Sequence, residues 1–162
     1  MTLFLILKLL SELNSLRFFS NDVKYKNIER KIKRAYRYIN LFKEFNNDIE
    51  LKEWIIYLMI IFDEIKNNNE YERIINLFRF QKEEEKAIRD IKKIDFSVNW
   101  KDFSDSDIYF FWKKFSIEVL IYSLATNENN RLLLKSIFKY WFKLRNIKIF
   151  INGDFFKNQW FK

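Results

Sequence analysis

The sequence contains no cysteine, no histidine, no proline and a single glycine, Gly153, in 162 residues. Each absence removes a class of chemistry. Without cysteine there is no disulfide and no thiolate metal site. Without histidine there is no imidazole general base, and no Ser-His or Cys-His nucleophile pair. A zinc site would need an all-carboxylate shell, which is not a usual one. One glycine cannot build G-x-G-x-x-G or G-x-x-x-x-G-K, so phosphate-cradling loops of those kinds are excluded. The lack of proline removes the strongest helix breaker, and no long linker or internal repeat interrupts the chain. Absence of cysteine agrees with a reducing compartment, and the expected location is the cytoplasm.

What is present is material for a core. Hydrophobic residues make up 49% of the chain and aromatics 20%. A chain of this length amounts to one domain and can bury a real core. The net charge is +8, unevenly spread. Residues 24–37 carry seven basic side chains against one acid, Glu29, and residues 131–162 carry eight against Asp154. The rest of the chain is therefore net acidic. Basicity gathered this way is expected of a surface that meets a polyanion. Two solvated, lysine-rich helix faces would give the same count.

The opening run MTLFLILKLLSELNSLRFF lacks a basic leader, is interrupted by Lys8 and has no small-residue cleavage site, so it does not read as a signal peptide. It also falls short of the ~20 apolar residues that span a bilayer. Leu3, Ile6, Leu7, Leu10 and Leu13 instead predict a buried helical face. No membrane partner is expected.

Nearly every later segment also reads as helix. Ile28, Ile32, Tyr36, Ile39 and Phe42 recur at helical spacing, with Arg30, Lys31, Lys33 and Arg34 off that stripe. Asp48 is a predicted N-cap for a helix whose stripe is Trp54, Ile55, Leu58, Met59, Phe62 and Ile65. Its WIIYLMIIF is apolar almost all round, which predicts the central helix. Short helices are predicted over 71–80 and 82–93. Ser104 and Asp107 form a predicted capping box. Ser116 caps a helix over 117–126, and a final helix over 131–144 turns Leu133, Ile137, Tyr140, Trp141 and Leu144 inward. Lys135, Lys139 and Lys143, at i, i+4 and i+8, predict a basic ridge on it. The expected fold is all-α, a compact bundle of roughly seven to eight helices with no sheet.

No catalytic constellation emerges. Asp105-Ser106-Asp107 is a D-x-D, but it opens a helix with no glycine nearby, whereas a two-metal D-x-D sits on a strand beside a Gly-Ser phosphate loop. The carboxylates Glu83–Glu85 read as a solvated helix start. Neither a metal nor a cofactor is expected, and nothing marks the chain as an enzyme by itself.

The order of segments nonetheless resembles a family. ILKLLSELNSLRFF, LKEWIIYLMIIFDEI, ERIINLFRFQKEEEKAI and SDSDIYFFWKKFSIEVLIYSLA follow one another as do the body helices of bacterial class II tRNA nucleotidyltransferases, the CCA-adding and A-adding enzymes related to poly(A) polymerases. IKIFINGDFF is similar to the element that starts the tail of that family. The resemblance implies a helical neck and body over 1–144 and the truncated start of a tail over 145–162, with Gly153 at a structural turn. It also implies that the catalytic head is missing, since no counterpart of its G-S-x-x-x-R loop or metal-binding aspartates occurs here. The chain would then be a fragment, non-catalytic by itself. Its partners would be tRNA, gripped at the acceptor stem and elbow, and a separately encoded head. The candidate RNA contacts are Arg30, Lys33, Arg34 and Arg37 on one helix and Lys135, Lys139, Lys143, Arg145 and Lys148 near the tail. A helical interaction subunit and a remnant scaffold with no RNA activity are the alternatives.

Overall fold

The structure, a computed structural model, describes residues 12, 15–45 and 50–146. The predicted N-terminal helix, the Asp48 cap, Lys148 and Gly153 lie outside the described residues. Between residues 15 and 146 the described residues form seven α-helices: α1 (Tyr25–Phe45), α2 (Glu53–Asp63), α3 (Asn68–Phe78), α4 (Lys82–Asp90), α5 (Asp105–Trp112), α6 (Ile117–Thr126) and α7 (Arg131–Lys139). Short 3-10 pieces lie at Ser15–Phe18, Ile91–Lys93 and Trp100–Asp102, and a π-helical turn, Tyr140–Leu144, extends α7. Among the described residues there is no strand, so the fold is all-α. No described helix is long and apolar enough to cross a membrane.

Local chemistry sets most boundaries. The Asn67 side chain caps α3 by accepting from Asn69 N–H and Glu70 N–H. Gln81 and Glu84 form a capping box at the start of α4, and Ser104 and Asp107 form another at α5. Each such box satisfies backbone donors that the first turn leaves open. Ser116 occupies the N-cap of α6 without a side-chain bond. The α3 helix ends on Arg79 in the left-handed region, at φ 48°.

The core is built on α6, where Val119 to Ala125 are all buried, and on α2, where Ile55, Ile56, Met59, Ile60 and Phe62 are. α6 packs on α1, α2, α4 and α7, and α2 packs on α1, α4 and α6. The centre is thus shared rather than held by WIIYLMIIF alone. Two predicted core residues are outside. Trp54 is 46% exposed, because it stands in the first turn of α2 and lies against Phe80 instead. Tyr36 is 44% exposed; the inner position belongs to Ala35, whose small side chain suits the close packing of α1 on α6.

Candidate nucleic-acid interface

The 21 residues of α1 make a helix about 32 Å long. Its core face, Ile28, Ile32, Ala35, Ile39 and Phe42, is fully buried. The opposite pole holds Lys26, Arg30, Lys33 and Arg37, at steps of four, three and four residues. Such spacing keeps side chains on one line, so these four form a straight cationic ridge about 17 Å long.

The neighbouring cations have different duties. Lys31 reaches Asp63 at 2.9 Å and Glu64 at 2.7 Å, fastening α1 to the end of α2. Burial opposes its charge, but the hydrogen bonds and charges of Glu64 and Asp63 outweigh that, so its ammonium is held above the ordinary lysine value. Arg34 meets Glu128 at 2.5 Å with little of its side chain exposed, which ties α1 to the loop before α7. Of the predicted contacts on α1, Arg34 therefore serves the fold. Lys33 pairs with Glu29 one turn back at 2.6 Å, on the surface, and such pairs are weak and easily exchanged. Arg30 and Arg37 are exposed and make no ion pair among the described residues. Beside the ridge lies a concavity of about 560 Å3, lined by Lys26, Asn27, Glu29, Arg30, Lys31, Lys33 and Arg34. Lys31, Lys33 and Arg34 are held in ion pairs there, so the excess positive charge of its lining is carried by Lys26 and Arg30.

The second basic patch departs from its prediction. Leu133, Ile137, Tyr140, Trp141 and Leu144 are buried as expected. The backbone then widens into the π turn, with Arg145 N–H donating to the Tyr140 carbonyl at 2.8 Å. The turn begins after Lys139, and the inward face keeps its spacing through it to Leu144. Lys139 is spent on Asp105 of α5. Lys135 and Lys143 are exposed and make no ion pair among the described residues. The Arg145 guanidinium sits over Trp141, 3.9 Å from the ring centre.

The fold brings the two patches side by side. Arg34 meets Glu128, Tyr38 meets Phe138 at 6.2 Å, Phe42 meets Trp141 at 4.9 Å and Phe45 meets Phe142 at 5.1 Å. Residue numbers rise together along both elements, so α1 and α7 run parallel with an aromatic seam between them. Sequence reasoning missed this seam. Its signal was a second apolar row on α7, Leu134, Phe138 and Phe142, each one residue before a lysine of the predicted ridge.

The D-x-D is occupied by structural bonds. Asp107 accepts from the Ser104 N–H at 2.9 Å and from its hydroxyl at 2.6 Å, and these hydrogen bonds hold its carboxyl below the ordinary aspartate range. Asp105 holds Lys139. Among the described residues no group of acidic side chains is arranged to hold a metal ion. No family model matches the chain, and neither curated proteins nor solved structures gave a match.

Proposed function

We propose that this chain is an RNA-binding module that grips structured RNA, of the tRNA acceptor-stem and elbow kind, through phosphates, and that it performs no catalysis by itself. The observation that carries this reading is the ridge of Lys26, Arg30, Lys33 and Arg37 along the outer pole of α1, beside the positively lined concavity. Duplex RNA is recognised mostly by shape and by backbone and 2′-OH contacts. A row of cations with few base-reading side chains suits that task. The order of segments that resembles the body of class II tRNA nucleotidyltransferases supports tRNA as the RNA. Lys135, Lys143 and Arg145 extend the cationic surface on the neighbouring element.

The test is fluorescence anisotropy of tRNA binding across a salt series, with a DNA duplex of similar length as control. Binding is expected to prefer tRNA and to weaken steeply with salt, as released counterions require. Replacing both Arg30 and Arg37 by alanine removes two phosphate contacts and is expected to lower the slope of log K against log salt by about 2. An unchanged slope would show that the ridge is not the interface.

One observation favours a second reading, a helical interaction subunit. Phe19, Phe78, Phe80 and Trp54 lie ring against ring across α2 and α3. Phe18 and Trp54 at this surface are about half exposed, and Phe78 is 39% exposed. A monomer that binds no hydrophobic dye would speak against a docking role for it.

A further inference from the structure

Where the turn after α5 meets the start of α6 and the π turn, Phe115, Ile117, Leu120, Tyr140, Trp141 and Arg145 line a cavity of about 220 Å3. Its walls are held from behind. Leu120, Tyr140 and Trp141 are buried. Phe115 packs on the rings of Phe111 and Trp112, and Trp141 packs on Phe42. Two polar groups of this lining have nothing to bind. Tyr140 is only 7% exposed, yet its hydroxyl makes no hydrogen bond among the described residues and is not sealed from solvent. Burial raises this phenol above its ordinary value, with the nearby Arg145 charge acting the other way, so the hydroxyl keeps its proton and is a donor. The Arg145 guanidinium, seated over Trp141, makes no ion pair among the described residues. Its backbone N–H is tied to the Tyr140 carbonyl, which keeps the two residues together. The lining thus carries one positive charge and no negative one. Glu118, next in sequence to Ile117, accepts from the Lys52 N–H instead, and Asp105 holds Lys139.

Apolar walls with a few convergent polar groups are the usual build of a small-molecule site. A space of about 150 Å3 already admits benzene. A guanidinium meets carboxylate or phosphate with paired donors. A phosphomonoester, close to doubly charged at neutral pH, would find a single cation here, whereas a carboxylate is matched by it. We propose that this cavity binds a small organic carboxylate with a flat or short apolar body. Its carboxylate lies on Arg145 and the Tyr140 hydroxyl, and its body lies against Phe115, Ile117 and Leu120. The site does not rest on the RNA-binding reading; Arg145 alone is common to the two surfaces.

Benzoate is the probe, titrated into the full chain and followed by amide NMR shifts. Saturable shifts are expected at Leu120 and Arg145. Arg145→Gln should weaken benzoate about tenfold or more, the size of one charge-assisted hydrogen bond. Tyr140→Phe removes no internal hydrogen bond and should weaken it about two- to tenfold. Benzyl alcohol, with the same ring and no charge, should be indifferent to Arg145→Gln. Circular dichroism melts of both variants should match the wild type. Absence of a saturable benzoate shift, or shifts that both variants leave unchanged, would overturn the proposal without touching the α1 ridge. Inorganic phosphate that binds as tightly as benzoate, with the same dependence on Arg145, would also overturn it and would return Arg145 to the RNA surface.

Discussion

Replacing Ser136 with alanine should destabilise the protein by orphaning one buried donor. The indole N–H of Trp112 donates to the Ser136 hydroxyl at 3.0 Å, and that hydroxyl donates onward to the Leu133 carbonyl at 2.8 Å. Trp112 is fully enclosed and Ser136 is 3% exposed, so water cannot replace the lost acceptor. A buried donor left unmade costs about 1–3 kcal/mol. Alanine is the better helix former, which returns up to about 0.5 kcal/mol. The net loss is then about 0.5–2.5 kcal/mol. In a domain of this size that lowers Tm by about 2–8 °C. Thermal and guanidinium unfolding, followed by circular dichroism and tryptophan fluorescence, would measure it. Trp112→Phe separates the bond from the volume, because with no donor the Ser136→Ala penalty should vanish. A double-mutant cycle should therefore show a coupling of about 1 kcal/mol or more. Trp100 and Trp141 already hold buried indole N–H groups without acceptors, so their replacement by phenylalanine should lack this coupling. If Ser136→Ala were as stable as the wild type, or the cycle additive, the bond would not be supporting the core.

Three other outcomes are expected. Arg79→Gly should raise stability by about 0.5–1 kcal/mol, because Arg79 holds φ 48° at the end of α3 and glycine enters that region without steric cost; an unchanged or lower denaturation midpoint would contradict this. Burial, followed by the charges of Glu53 and Tyr36, pushes the Tyr57 phenol up to about 12, and burial likewise raises Tyr71 and Tyr122. The unfolded chain would then release these protons from about pH 10 while the folded chain keeps them, so stability should fall as pH rises from about 10 through 12. A denaturation midpoint that stays level across that range would refute that. The hydrogen bond from Lys52 holds the Glu84 carboxyl below the ordinary glutamate range, against the effect of its burial. Its contribution is present above about pH 4.3 and is lost as pH falls through the depressed value. Glu84→Gln should flatten that acid limb of a stability-against-pH curve.

Much of the candidate surface was legible in the chain because charge and helical period are local properties. Steps of four, three and four residues put Lys26, Arg30, Lys33 and Arg37 on one line whatever α1 packs against. The helical class follows from the same periodicity, and the capping boxes at Gln81 and Ser104 are set by residues three apart. The absence of cysteine, histidine and a glycine-rich loop excluded whole chemistries before any fold was known.

Other features depend on which helices meet. Arg34 and Lys31 look like ridge cations in the chain, yet Glu128 and Glu64 claim them across the fold. Lys139 is removed from its row by Asp105, 34 positions away. The aromatic seam exists only because α1 and α7 lie parallel, bringing Tyr38 to Phe138 and Phe45 to Phe142. Burial and ion pairing are properties of pairs of elements, whereas periodicity belongs to one. Sequence alone therefore determined what each helix presents, and tertiary structure decided which of those side chains remained free to meet a partner.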